Sequence, residues 1–302
     1  MKNVIKSKLV VCSLVNIFSA EEMQAITIAL SEDPDASLET LFLRKGIWRN
    51  QTTAFKRMDA LKEELKKEGM NQKHERLEQT GTKICTIIDA DYPTLLKEMY
   101  LPPIVLYYQG DWSLSKRNLL GVVGSRLISD YGKKVVRDIV PAIVQAGVVT
   151  VSGLAKGIDY EIHKQTIQNG GQSIAVIGTG LDRSYPAENR ELQAQMATHQ
   201  LVVSEYPLGT GPQKLHFPMR NRIIAGMTQG VLVIEAKERS GSLITANLAL
   251  QENREVFAIP GNILNPAYQG TNQLIQAGAK AVLSYDDIAL EMDKVWRKEI
   301  KI

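Results

Sequence analysis

The hydrophobic pattern of the first 75 residues differs from that of the rest of the chain. There, apolar side chains such as Met58 and Leu61 recur at helical spacing on a strongly charged background. Ser19 is followed by two glutamates, as is typical of a helix start with a capping hydroxyl and carboxylates in its first turn. A second helix is predicted over residues 55–68. We therefore expect a small helical domain over residues 1–75.

From residue 84 onwards, short runs of apolar, β-branched residues alternate with helical patterns, and a Pro-rich extended connector is predicted over 91–103. The predicted strands are 119–123, 148–151, 173–177, 201–204, 231–234, 256–259 and 281–283. Nearly continuous apolar strands with intervening helices are typical of a parallel sheet that is covered on both faces. The sequence thus predicts a doubly wound, mostly parallel α/β domain over residues 84–302.

Composition limits the class of protein without assigning a partner. The chain has 302 residues, is 44% hydrophobic and carries a formal charge of +3, so a polyanionic partner must be argued from local features. Cys12 and Cys85 stand far apart without a nearby Cys-His pattern, which predicts neither a disulfide framework nor a zinc site. No apolar run approaches the ~20 residues that span a bilayer. Because the early apolar run is also interrupted by Ser13 and Asn16, we expect a cytoplasmic protein without membrane contact.

A basic segment around residues 217–226 indicates the chemistry of the partner. It begins with Phe217 and continues through Arg220, Asn221 and Arg222, with Lys214 three residues upstream of the aromatic ring. The sequence contains no carboxylate between positions 209 and 226. Planar guanidinium groups beside a ring that can stack are suited to a polyanion with exposed bases. The segment therefore predicts nucleic-acid binding, although Phe217 could instead anchor its loop.

Polar motifs follow several predicted strands, and ligands of open parallel sheets bind outside the carboxyl ends of the strands. Arg126 comes directly after a strand-ending Gly-Ser, which places it over the ligand face. Glycines that precede a helix can direct backbone donors toward an anion, but they can equally satisfy a positive φ angle or close packing. A serine there can also simply cap the helix. The phosphate-loop candidates are Gly124, Ser125, Ser152, Gly153, Lys156, Ser240, Gly241 and Ser242.

Catalytic chemistry has little support in the sequence. Asp159 and His163 are four residues apart on one predicted helix, but no third metal ligand with suitable spacing accompanies them, which favours a structural role. Neither a P-loop nor a Gly-x-Ser-x-Gly elbow is present. We therefore predict no catalytic residue, no metal and no cofactor. The alternative is a nucleotide phosphoribohydrolase on the same kind of sheet, with Glu235 or Asp159 as its acid, since the fold alone does not exclude one.

These motifs, in this order, resemble the DNA processing protein A (DprA, also called Smf) family of bacterial natural transformation. The resemblance covers about residues 91–278 and is carried by Gly124-Ser125-Arg126 and by residues 152–159, 217–226 and 240–246. It implies an extended Rossmann-like domain that binds single-stranded DNA, forms homodimers, protects incoming strands and loads a RecA-type recombinase. The helical N-terminal region is compatible with the sterile-alpha-motif-like domain of some relatives. No catalysis is implied.

The resemblance places the DNA pocket on Arg126, Lys214 and Phe217, with Arg220, Asn221 and Arg222 beside it. These are also the residues that the local chemistry selects. The chain departs from the family pattern at Asn253, where many relatives have glycine. Because asparagine tolerates a left-handed backbone, the fold is expected to persist there.

Overall fold

The structure is a computed structural model that describes residues 2–44, 47–67 and 69–299. Its α-helices are α1 Lys2–Val15, α2 Ala20–Glu32, α3 Leu38–Leu43, α4 Gln51–Lys67, α5 Met70–Gln79, α6 Thr94–Lys97, α7 Asp130–Gln145, α8 Ile158–Gln168, α9 Arg190–His199, α10 His216–Met227, α11 Gly241–Gln251, α12 Gln269–Gln276 and α13 Tyr285–Glu299. Its strands are β1 Lys83–Thr86, β2 Val105–Gly110, β3 Leu119–Val123, β4 Val149–Ser152, β5 Ser173–Ile177, β6 Leu201–Ser204, β7 Gly230–Val233, β8 Glu255–Ala258 and β9 Lys280–Ala281.

The strands described here form one sheet in the order β1-β2-β6-β5-β4-β3-β7-β8-β9. The pairs from β6 to β9 are parallel, whereas β2 runs antiparallel to both β1 and β6. Strands β3 to β6 extend the sheet in one direction and β7 to β9 extend it in the other. The strand order therefore reverses between β3 and β7, which is where a parallel sheet opens a crevice.

Helices cover both faces of the sheet because successive strand residues point to opposite sides. In β5, Ile174 and Val176 belong to one core, together with Ile223 and Ile224 of α10. Ala175 of the same strand belongs to another core on the opposite side. The mostly parallel, Rossmann-like α/β fold predicted from the sequence is confirmed.

Each of the seven predicted strands appears within one or two residues of its expected position. The antiparallel pair β1 and β2 was missed, and the predicted connector over 91–103 contains the short helix α6. The helix expected over 55–68 begins earlier, at Gln51, while its last residue, Glu68, lies outside the described residues. Its earlier start has a local reason, since the Asn50 side chain accepts a hydrogen bond from Thr53 N.

The N-terminal helices pack against the β2 end of the sheet. Leu9 of α1 and Leu30 of α2 belong to the same core as Tyr107 of β2. The buried Tyr107 hydroxyl lies 2.9 Å from Ser13 Oγ. Ser19 caps α2 as predicted, with a reciprocal bond from its own backbone N–H to Glu22. Treating residues 1–75 as a separate domain stays a prediction.

Two further expectations concern the backbone and the membrane. Asn253 has φ 56°, so this asparagine adopts the left-handed conformation that was expected to be tolerated at this position. Among the described residues, no helix combines the length and the apolar composition that crossing a bilayer requires.

Candidate nucleic-acid interface

A cleft of about 750 Å³ opens at the carboxyl ends of β3, β4 and β7, where the strand order reverses. Its walls come from the loops after β3, β4, β5 and β7, from α10 with the segment just before it, and from the start of α11. Motifs that are separated by more than 100 residues in the sequence therefore meet around one space. The predicted residues that line it are Gly124, Ser125, Arg126, Lys214, Phe217, Arg220, Asn221, Ser240, Gly241 and Ser242.

Arg126 and Phe217 lie against each other in the wall of the cleft. The Arg126 guanidinium carbon lies 5.4 Å from the centroid of the Phe217 ring, within the range of a cation–π interaction. Tyr185 lies beside the same ring, with centroids 5.2 Å apart. Arg126 and Lys214 are exposed, and Phe217 is half-buried. The wall thus presents aromatic surface next to cationic groups, which suits stacked bases and phosphates.

The first turn of α10 fixes the position of Phe217. The His216 ring stacks on Tyr206 with centroids 3.9 Å apart, and its Nδ1 lies 3.1 Å from the carbonyl oxygen of Gly178. Burial lowers the pKa of His216, which favours the neutral ring. His216 therefore anchors the helix start to the loop after β5, and the neighbouring Phe217 remains available to the cleft.

Arg220 and Arg222, which the sequence places among the DNA contacts, are both buried. Arg220 donates to the carbonyl oxygens of Gly153 and Val176, next to the ends of β4 and β5. Arg222 donates to the Leu101 carbonyl at 2.6 Å and forms an ion pair with Glu205. Most of their donors are thus engaged within the protein, while Arg222 Nε is buried without a hydrogen-bond partner among the described residues. In this structure both arginines hold α10 on the sheet, and Arg220 also borders the cleft.

The loop after β4 directs its donors toward an internal carboxylate. Ser152 is fully buried and donates to the Val122 carbonyl at 2.7 Å. Ala155 N donates to Asp159 Oδ2 at 3.3 Å, and the Arg220 guanidinium packs over Gly153. Burial raises the pKa of Asp159, while the charge of Arg220 and these donors lower it. This geometry argues against the phosphate-loop interpretation of Ser152 and Gly153.

Other phosphate-loop candidates also make contacts within the protein. Gly124 packs against Ile158, whose side chain a Cβ would meet at 2.6 Å. Ser125 Oγ accepts from Leu127 N at 3.0 Å, and Lys156 pairs with Glu188 at 2.7 Å. Ser240 caps α11 by accepting from Ser242 N, as the capping alternative expected. By contrast, an added Cβ at Gly241 would meet no atom within 4 Å, so Gly241 lies open toward the cleft.

Asn221 bridges two elements of the cleft. Its side chain accepts from Arg220 Nε at 3.0 Å and donates to the Gly241 carbonyl at 3.4 Å. It thereby links the basic helix α10 to the start of α11. Asn221 is half-buried and still lines the cleft, so it combines this bridge with access to a ligand.

Three residues that the sequence interpretation left out of the site also line the cleft: Tyr185, Lys237 and Arg239. All three are exposed. Each follows a predicted strand, which is a signal that could have found them. Lys237 and Arg239 directly precede the Ser240-Gly241-Ser242 motif, whereas Tyr185 lies five residues after Gly180.

The groups named for catalysis or metal binding are engaged elsewhere. Glu235 is fully buried and accepts from Ser129 N at 2.9 Å and from Ser129 Oγ at 2.6 Å. His163 is also fully buried, with Nδ1 2.6 Å from Ser173 Oγ. Cys85 and two aspartates form a potential ligand group away from the cleft, but one of them, Asp89, is paired with Lys6 at 2.8 Å. These contacts fit structural roles.

Comparison with known proteins places this chain in a family. A family model described as DNA recombination-mediator protein A matches residues 83–293. The DNA processing protein DprA of Bacillus subtilis is 47% identical over 215 residues, which are 71% of this chain and 72% of the relative. The X-ray structure of DNA processing protein A from Streptococcus pneumoniae aligns with a TM-score of 0.81 at 40% identity, covering 92% of this chain and 94% of that one. DNA processing protein A from Helicobacter pylori, whose structure was described for its single-stranded DNA binding mode, aligns with a TM-score of 0.63 at 26% identity, over 70% and 96% of the two chains.

Proposed function

This chain belongs to the DNA recombination-mediator protein A family, and we propose that it binds single-stranded DNA in the cleft at the carboxyl ends of β3, β4 and β7. The observation that carries the proposal is the Arg126 guanidinium 5.4 Å from the Phe217 ring, in a cleft that Lys214 also lines. The single-stranded DNA binding mode described for the Helicobacter pylori relative supports the choice of ligand.

The contacts assign different tasks to the three residues. Arg126 and Lys214 neutralise phosphates, and Phe217 stacks on a base. Arg220 and Arg222 act indirectly, because their buried guanidinium groups hold the helix that carries Phe217. Stacking and phosphate contacts carry little base information, so binding is largely independent of sequence.

In the cell, this binding serves natural transformation. The protein protects incoming single strands in the cytoplasm and loads a RecA-type recombinase onto them, without catalysing a reaction itself. It acts as a homodimer formed through the large domain. Among apolar residues near the C-terminus, Leu274 lies in the core, whereas Leu290 of α13 is 67% exposed and is available for such a contact. Light scattering at micromolar concentration tests this assembly, and a monomeric mass contradicts it.

The alternative, a nucleotide phosphoribohydrolase, has weaker support from the geometry. Of its two candidate acids, Glu235 accepts two hydrogen bonds from Ser129, and Asp159 is buried against Arg220. A hydrolase acid must reach the bond that it protonates. The exposed cations suit a polymer of phosphates better than a single nucleotide.

One experiment separates the two functions. A gel-shift comparison of single-stranded and duplex oligonucleotides is combined with an assay for released base or phosphate. The proposal predicts stoichiometric binding of the single strand and no release. Multiple-turnover release that disappears in Glu235→Gln would establish the hydrolase instead.

A further inference from the structure

Two exposed cations, Lys237 and Arg239, lie on the β7 side of the cleft, away from Phe217. Phe217 packs beside Gly178, which follows β5, whereas the loop at 237–239 follows β7. Strands β4 and β3 separate β5 from β7, so the two ends of the cleft are about 14 Å apart at the usual strand spacing. That distance separates the Phe217 ring from the 237–239 loop, and Arg126, which follows β3 next to β7, lies between the two ends.

The loop that carries these cations is held at both of its ends. Ala236 is fully buried, and its carbonyl accepts from Gly270 N at 2.8 Å. Ser240 N donates to the Lys237 carbonyl at 3.1 Å, and the Ser240 side chain caps α11. The backbone beneath Lys237 and Arg239 is therefore fixed, which lowers the entropic cost of ordering their side chains on a ligand.

These two cations also lack the carboxylate partners that neutralise others near the cleft. Lys156 is paired with Glu188 and Arg222 with Glu205. Within the described ranges 2–44, 47–67 and 69–299, no ion pair involves Lys237 or Arg239. The carboxylate between them, Glu238, lines the same cleft and lowers its positive potential.

We propose that Lys237 and Arg239 form a second phosphate-contact site, so that a single strand crosses the carboxyl edge of the sheet from Phe217 toward Arg239. The inference rests on the proposed function, because it assigns a path to the same ligand. A strand on this path places one phosphate near Arg126 and Lys214 and another near the 237–239 loop. The negative charge of Glu238 then weakens the affinity for the DNA strand.

The test is the salt dependence of oligothymidine binding, measured by fluorescence anisotropy. Each phosphate neutralised on a single strand contributes a slope of about −0.7 to log K against log salt. The double variant Lys237→Ala/Arg239→Ala removes the cations at one phosphate and should therefore reduce the magnitude of the slope by about 0.7. Glu238→Gln should tighten binding, because it removes the carboxylate from the proposed path.

The matched control is Lys116→Ala/Arg117→Ala, which also removes one lysine and one arginine. Both residues are exposed and precede β3, at the amino end of the strand and so opposite the cleft. This variant should keep the wild-type slope. If the Lys237/Arg239 variant kept the wild-type slope while Arg126→Ala reduced it, the second site would be refuted and the proposed function would stand. If wild-type protein failed to bind oligothymidine, both the second phosphate-contact site and the proposed function would be refuted.

Discussion

At the residue scale, the contact between Arg126 and Phe217 determines how the cleft responds to mutation. Arg126→Ala should reduce the magnitude of the salt slope by about 0.7, since it removes one phosphate contact. Phe217→Ala should keep the slope and cost roughly 1–3 kcal/mol through lost stacking. Because the guanidinium already lies 5.4 Å from the ring centroid, we expect the double variant to lose less than the sum of the two losses.

A double-mutant cycle on oligothymidine binding measures this coupling. A value of roughly 0.5–1 kcal/mol is expected for an exposed cation–π pair. The control cycle combines Phe217→Ala with Lys116→Ala. It should be additive, because Lys116 precedes β3 and so lies at the amino ends of the strands, away from the cleft. Additivity in both cycles would show that Arg126 and Phe217 act independently. A sharp fall in the melting temperature of Phe217→Ala, with normal binding by the folded fraction, would instead make the ring a loop anchor.

The buried His163 should make stability depend on pH. Burial, together with the charge of Arg220, lowers the pKa of this histidine to about 3, whereas an unfolded histidine titrates near 6.5. Below pH 6.5 the unfolded chain therefore binds a proton that the folded protein does not. The resulting loss of stability grows as the pH falls from 6.5 toward 3. At pH 5 it amounts to about 2 kcal/mol relative to pH 7.5.

Chemical denaturation at pH 7.5 and pH 5 tests this linkage. His163→Asn retains a polar partner for Ser173 but does not titrate, so its free energy of unfolding should change less between the two pH values than that of wild type. The exposed His199 provides the control, and His199→Asn should follow wild type. Equal pH dependence in His163→Asn and wild type would count against a depressed pKa.

At the scale of elements, two glycines near helix starts have different roles: Gly153 lies in the loop before α8, and Gly241 is the first residue of α11. A Cβ at Gly153 would overlap with the Arg220 guanidinium, whereas at Gly241 it would meet no atom within 4 Å. We expect Gly153→Ala to lower the free energy of unfolding by roughly 1–3 kcal/mol through overpacking. Gly241→Ala should be neutral or slightly stabilising, because alanine favours the helix. Thermal melting of the two variants compares them directly, and equal melting temperatures would show that Arg220 moves aside at little cost.

The elements that the sequence predicted correctly are those whose signal is local. Strands β3 to β7 are fully buried and β8 is buried after its first residue, so their nearly continuous apolar runs predict their positions from the pattern alone. In contrast, β1 begins with an exposed lysine and β2 ends in half-buried residues, next to a proline-rich stretch. These two strands are stabilised by antiparallel pairing with each other and with β6, and such partners are not visible in a local window.

In the candidate site, too, local sequence patterns predict some features and miss those that depend on distant partners. Residues that directly follow a strand, such as Arg126, were located at the cleft because strand ends share one edge of the sheet. The burial of Arg220 and Arg222 could not be predicted, since their partners are backbone carbonyls and Glu205 far away in the sequence. The periodicity of α10 does not reveal that the two arginines are buried, because buried residues occur on most sides of this helix.

At the scale of the whole molecule, the N-terminal helices and the large domain meet in one core around Tyr107. The cleft opens where the strand order reverses, at the carboxyl ends of the parallel strands. The helical region thus packs near β2, toward the antiparallel end of the sheet, and the cleft lies nearer the middle of the strand order. This arrangement is consistent with a DNA strand that enters and leaves the cleft across its rim.

Photocrosslinking tests the location of the DNA most directly. An oligonucleotide containing iododeoxyuridine is irradiated with the wild-type protein, and the crosslinked peptides are identified by mass spectrometry. The proposal predicts crosslinks on the peptides that contain Phe217 and Tyr185, whose rings lie 5.2 Å apart in the cleft, and their loss under competition by unlabelled single strand. Crosslinks confined to the N-terminal helices, or to Trp112 before β3, would contradict it.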